Sequence, residues 1–188
     1  MHHSLDHRQI MNVNRLLIRG LLLLAVAYGG YRIGIAGISY RILGYREYDR
    51  TLDAQHLAAI TAVAQPLTAA NLCQQAVATT ASSLSFRARY NSLSDPNQIL
   101  DDKYAHCKMY SYAVASTYNQ LAQQRGWKTR CRVAYGQVYW YGINLHPLID
   151  GKFFRTHDFN VVQNEGEQYA VDAILYDYFR ITTIPIRG

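Results

Sequence analysis

Between Arg15 and Arg41 the chain carries its longest apolar run, RLLIRGLLLLAVAYGGYRIGIAGISYR. Leu16 to Ile38 supplies 23 residues, enough for a helix to cross a bilayer. Two cations interrupt the run. Arg19 lies close enough to one end to reach the interface, whereas Arg32 sits deeper, where a charge faces a partner or water rather than lipid. Gly30, Gly34 and Gly37 repeat at small-residue spacing, so membrane lipid and a second membrane helix are the partners expected of this segment. Two other readings compete with an uncleaved anchor. Ala25-Val26-Ala27 has the A-x-A form of a secretory cleavage site behind a leucine run, and the segment also suits a soluble interaction helix. Span length favours a single-pass anchor, with the domain expected on the periplasmic or another extracytoplasmic side. Arg8, Arg15 and Arg19 on one flank balance Arg41, Arg46 and Arg50 on the other, so charge does not fix the orientation.

The expected organisation is a tail over 1–14, an anchor helix over 15–41, a connecting helical segment over 42–66 and a folded domain over 67–188. A chain of 188 residues, 49% hydrophobic and 17% charged, has the length and composition for one domain with its own core. The net charge of +6 is spread along the chain without a basic block or a Gly-rich phosphate loop, so nucleic acid is not an expected partner. Cys73, Cys107 and Cys131 cannot all pair, and none lies in a CxxC spacing. Neither a disulfide framework nor a metal site is implied, and no cofactor is expected.

Within the domain, TLDAQHLAAITAVAQ reads as a helix ending before Pro66, and TAANLCQQAVATTASSLSF as a second helix with Thr68 as its cap. RARYNSLSDPNQ reads as a loop from its Asn, Ser, Asp and Pro content. Cys107, Tyr110, Val114, Tyr118 and Leu121 then share one helical face, and Gly126 ends the helix. A thiol at a helix start meets unpaired N–H groups and the positive end of the dipole, which favour thiolate. Cys73 and Cys131 fall on packing faces.

Thr129 to Tyr135 alternates as a strand, and THDFNVVQNEGEQYAVDA reads as a hairpin with a loop over Gln163–Gly166. Val162 would then face Glu167, and His157 would face Asp172 on the same side of the sheet, close enough for the carboxylate to orient the imidazole. Cys107, His157 and Asp172 are thus the candidate nucleophile, base and orienting acid. His106 is the poorer base because adjacent helical residues diverge, and His146 in a loop is the weaker alternative. Asp158 points to the other face from His157.

With AHC opening a long helix, RGWKTRCRVAYG, HDFNVV and YAVDA in that order, the chain from about Ala69 to Tyr178 resembles the transglutaminase-like superfamily, whose core is related to papain-type cysteine peptidases. The resemblance implies an α+β fold, helices packed on a small antiparallel sheet, and a Cys107–His157–Asp172 triad. Ala105-His106 stands where that family often has glycine. It also implies acyl transfer at a peptide or isopeptide carbonyl, with hydrolysis ahead of crosslinking and a peptide or protein as substrate. Gln98 and Tyr104 are the oxyanion candidates beside the Cys107 N–H. The other function class is a non-catalytic assembly or scaffold subunit of a membrane complex that keeps the fold, suggested by the glycine stripe, Arg32 and the tyrosine-rich SYRILGYREYDR.

Overall fold

A computed structural model of the chain describes residues 27–63, 67–88, 91–148, 155–164 and 166–188. Residues up to Gly37 form one unit and Ile38–Gly188 another. In the first, residues 27–36 are the described part of helix α1 and Gly37 is a turn. Among the described residues no helix is long and apolar enough to cross a membrane. The tail over 1–14, most of the expected anchor with Arg19, and most of the A-x-A site lie outside those residues.

The second unit is α+β. Its order is β1 (Ile38–Tyr45), α2 (Ala54–Val63), α3 (Leu72–Ser83), β2 (Ser85–Phe86), α4 (Pro96–Asp102), β3 (Tyr104–Ala105), α5 (Cys107–Gln124), β4 (Arg130–Trp140), β5 (Ile143–Asn144), β6 (His157–Asn164), β7 (Glu167–Val171), α6 (Ala173–Phe179) and β8 (Ile186–Arg187). The main sheet runs β7-β6-β4-β1-β8, with β5 paired to the end of β4. It is mixed, because β1 is antiparallel to β4 but parallel to β8. Its two edges meet where Ala170 and Ile184 exchange backbone hydrogen bonds of 3.1 and 2.8 Å, which nearly closes the sheet and leaves little edge exposed.

The first correction to the expected organisation lies in β1. Residues 38–45 are neither the end of a helix nor the start of a connecting helical segment; they form a central strand. The segment ISYRI alternates apolar and polar residues, the period of a strand, and Tyr40 is fully buried in the sheet. Helical structure in the connecting segment begins only at Ala54. Tyr48, between them, stacks on Tyr112 with ring centroids 4.1 Å apart. Gln120 of α5 takes the Leu52 N–H at 2.6 Å and gives an N–H to the Leu52 carbonyl at 2.9 Å. The tyrosine-rich stretch thus packs onto the domain's own sheet and helix.

DPNQ, the end of the segment expected as a loop, instead opens helix α4. Asp95 accepts the Asn97 N–H at 2.9 Å as the N-cap and Pro96 occupies the first turn, a combination that starts helices because proline gives up no needed donor there. The helix expected over TAANLCQQAVATTASSLSF is shorter, Leu72–Ser83 with Asn71 rather than Thr68 at its N-cap, and Ser85–Phe86 is strand β2. Thr68 and Asn71 exchange side-chain bonds with each other's N–H groups before α3, at 3.3 and 2.8 Å, in the manner of a capping box. The predicted face of α5 is buried. Gly126, at φ 68°, ends that helix with a bond from the Trp127 N–H to the Ala122 carbonyl at 3.0 Å.

Alternation along β6 serves two cores. Val162 packs with Cys131, Val133 and the buried face of α5. Phe159 and Val161 pack with Tyr40, Ala134, Ala170 and Ile184 inside the curved sheet. The close approach of β1 to β4 depends on Gly136, which faces both Ile42 and His157. A Cβ there would lie 2.0 Å from the Arg41 carbonyl oxygen and 3.1 Å from the Phe159 ring. Backbone cannot swing aside as a side-chain tip can, so Gly136→Ala must push the strands apart. Overpacking of this kind costs about 3 kcal/mol. At about 2–4 °C per kcal/mol for a chain of this size, thermal unfolding should show Tm lowered by about 6–12 °C; an unchanged Tm would refute the close-approach argument.

Candidate active site

Cys107, the candidate nucleophile, is delivered by a short relay of backbone. Lys103 at φ 62° ends α4, β3 then pairs parallel with β2, and His106 enters α5 as its N-cap in extended conformation at φ −100° and ψ 178°. Cys107 is the first residue of that 18-residue helix, where the unsatisfied N–H groups and dipole favour an anion. The Ser111 hydroxyl donates to the Cys107 carbonyl at 3.0 Å. Asn160 of β6 donates to the Ser111 carbonyl at 2.9 Å. The first turn of α5 is thereby fixed to the strand that carries His157.

The hairpin that supplies the other two residues differs in register from its expected form. Asn164 faces Glu167 and Asn160 faces Val171, so the pairing is displaced by two residues. Because side chains alternate with a period of two, the displacement leaves His157 and Asp172 on the same face, as diagonal rather than direct neighbours. A displacement of one would have separated them. Asp172 has also left the strand. It is the N-cap of α6, and its Oδ1 accepts the Ile174 and Leu175 N–H groups at 2.8 and 3.3 Å. Its Oδ2 faces the His157 Nε2 at 2.5 Å and accepts the Tyr40 hydroxyl at 2.6 Å. With Nε2 engaged by the carboxylate, Nδ1 is the ring nitrogen left for the Cys107 sulfur, to which the His157 side chain is hydrogen-bonded.

Electrostatics follow from these contacts. Burial pushes the Cys107 thiol up, but bonds from the His106 and His157 side chains, the His157 charge and the Asp158 backbone N–H outweigh it and bring the pKa down to about 6. Burial pulls His157 down, yet the charge and hydrogen bond of Asp172, with Cys107, raise it to about 10. Asp172 is pushed up by burial and held below its ordinary value by His157, Tyr40 and the Ile174 N–H. Between about pH 6 and about pH 10 the pair is therefore thiolate and imidazolium. The other thiols behave oppositely: burial pushes Cys73 up to about 11 and Cys131 far up.

Three participants were not foreseen from the sequence. Tyr40 braces the acid, and its ring meets His157 edge-on at 5.7 Å. The strand alternation of ISYRI was the signal that could have found it. His106 was set aside as a helical neighbour pointing elsewhere, but as an extended N-cap it reaches the sulfur. The Asp158 N–H is a backbone donor with no signature in side-chain identity. The Asp158 carboxylate pairs with Arg46, whose guanidinium also lies over Tyr135, and that pair anchors the donor's peptide.

The remaining candidates are dispersed. Gln98 is exposed on α4. Tyr104 lies in β3 under the Arg87 guanidinium, 3.6 Å from the ring centroid. The His146 Nε2 accepts the Val138 N–H at 2.9 Å, a structural task that occupies that nitrogen. Gly30 and Arg32 are exposed on the described part of α1 and Gly34 is half-buried; a Cβ on Gly30 or Gly34 would meet nothing within 4 Å. Gly37 stands in the turn beyond the helix and so leaves the stripe. Among the described residues, no cluster of three or more His, Cys, Asp or Glu side chains could hold a metal ion.

Comparison with protein-family models, with curated proteins and with solved structures finds no match for this chain.

Proposed function

We propose that the chain is a cysteine hydrolase of transglutaminase-like, papain-related design, tethered to a membrane by its N-terminal apolar segment. The observation that carries the reading is the continuous path from Asp172 through His157 to a thiol of depressed pKa at the start of α5. Cys107 Sγ attacks the carbonyl carbon of a peptide or isopeptide bond. His157 gives its proton to the departing amine as the C–N bond breaks, leaving a thioester. Water then attacks while His157 takes up its proton, the C–S bond breaks, and the acid product leaves. Asp172 keeps the ring oriented and stabilises its charge. The Cys107 N–H at the helix start is one donor for the developing oxyanion.

One observation favours the alternative of a non-catalytic scaffold: Cys107 is only 8% exposed, so a substrate must open the approach to the sulfur. A peptidyl chloromethyl ketone, added to the full chain in detergent at pH 7, separates the two readings. The hydrolase reading expects chloride to be displaced and a mass gain of one probe less HCl, mapped to Cys107 and lost in Cys107→Ala. No adduct, or equal slow modification of all three cysteines, supports the scaffold.

A further inference from the structure

The turn between β4 and β5 exposes more apolar surface than a hairpin in water needs. Trp140 is 44% exposed, Tyr141 55% and Ile143 56%, with Leu148 at 69% just beyond. The first three form one cluster: Trp140 pairs with Ile143 and meets Tyr141 edge-on at 5.5 Å. Single exposed apolar residues need no explanation, whereas a contiguous group of large ones marks an interaction surface. The backbone is costly as well. Tyr141 holds φ 46° beside Gly142 at φ 88°, a two-residue turn in which Asn or Gly is the comfortable choice and a bulky aromatic is strained. Strain kept at an exposed tip points to a use for the side chain.

Two further facts choose the occupant. Arg41 and Arg187 are cross-strand neighbours and both exposed. The Arg187 guanidinium lies over the Tyr139 ring at 5.2 Å and within 3.7 Å of where a Gly142 Cβ would stand. The tip therefore combines Trp, Tyr and Ile with Arg187, and Arg41 stands beside Arg187 three residues back along the sheet, the mixture that favours an anionic lipid interface. Trp140 is also the cross-strand partner of Ile38, the last residue of the 23-residue apolar run that began at Leu16. The tip thus lies at the end of the sheet where the chain arrives from that run.

We infer that the β4–β5 tip, with Arg41 and Arg187, is a second membrane contact that inserts its aromatic residues among anionic headgroups. Gly136, which faces His157, is four residues along β4 from Trp140, or about 13 Å. A tip at the interface would hold the thiol close to segments that emerge from the bilayer. The inference rests on the membrane part of the proposed function and is independent of the thiol chemistry.

Trp127 and Trp140 are the two tryptophans of the chain, and β4 runs for about 30 Å from near the first to the second. The full chain is incorporated into vesicles of phosphatidylcholine and phosphatidylglycerol, with brominated phosphatidylcholine as quencher. Flotation reports the anchor and quenching reports the tip. Trp127→Phe, which leaves Trp140 alone, should be quenched several-fold more than Trp140→Phe, which leaves Trp127. Matching circular dichroism spectra of the two variants establish that both are folded. Flotation with Trp140 quenched no more than Trp127 overturns the tip contact and leaves the anchor standing; failure to float overturns both.

Discussion

Replacing His157 with alanine should move the midpoint of Cys107 reactivity from about pH 6 up to the ordinary thiol range near 8.5. The variant loses both the hydrogen bond and the charge that His157 gives the sulfur, while burial continues to favour the neutral thiol. Exchange with a small aromatic disulfide reads this out. At pH 6 the thiolate fraction would fall roughly 150-fold, and the greater nucleophilicity of a more basic thiolate would restore roughly 10- to 18-fold, leaving the variant roughly 10- to 15-fold slower. The sign reverses at higher pH. Above roughly pH 7.5 the variant is ionised enough, and its thiolate reactive enough, to overtake the wild type. Crossing curves are the signature of a pKa effect; parallel curves, both slower or both equal, would sink the thiolate–imidazolium pair. The proposed amide hydrolysis should not recover with pH, because the proposed proton donor for the leaving amine is gone, and the expected loss there is about 10²- to 10⁴-fold.

The largest loss of stability is expected for Asp172→Ala. One buried carboxylate accepts from the Tyr40 hydroxyl, the His157 ring and the Ile174 and Leu175 N–H groups. Truncation strands a half-buried imidazolium and a buried phenol and uncaps α6 together. Breaking a buried pair from one side costs about 3–5 kcal/mol, so Tm should fall by about 6–20 °C. Asp172→Asn keeps an acceptor for the helix cap and should fall between alanine and wild type. A Tm for Asp172→Ala within about 2 °C of wild type would show that the carboxylate does not hold this corner of the fold.

Legibility in the sequence varied with the range of the interaction. The helix of Cys107 was readable because its apolar positions recur every three or four residues and Gly126 closes it within the same stretch. The side-chain parity of the His157 hairpin was readable too, and parity survived although the register itself was displaced by two residues. The strand at Ile38–Tyr45 was hidden by its neighbour: a long apolar run invited one helix where the chain turns at Gly37 and alternates from there on. The helix at Pro96–Asp102 was hidden because Asp-Pro begins turns as readily as helices, and only Asp95 reaching the Asn97 N–H distinguishes them.

By itself the sequence determined that Cys107 opens a helix and that His157 and Asp172 share one side-chain parity, since both follow from local periodicity. Tertiary structure alone decided how the three meet and what surrounds them. Tyr40 reaches Asp172 across 132 positions, and the Asp158 N–H meets the sulfur only because β6 lies where α5 begins. Such contacts arise when distant strands close into one curved sheet, and no spacing along the chain encodes that closure.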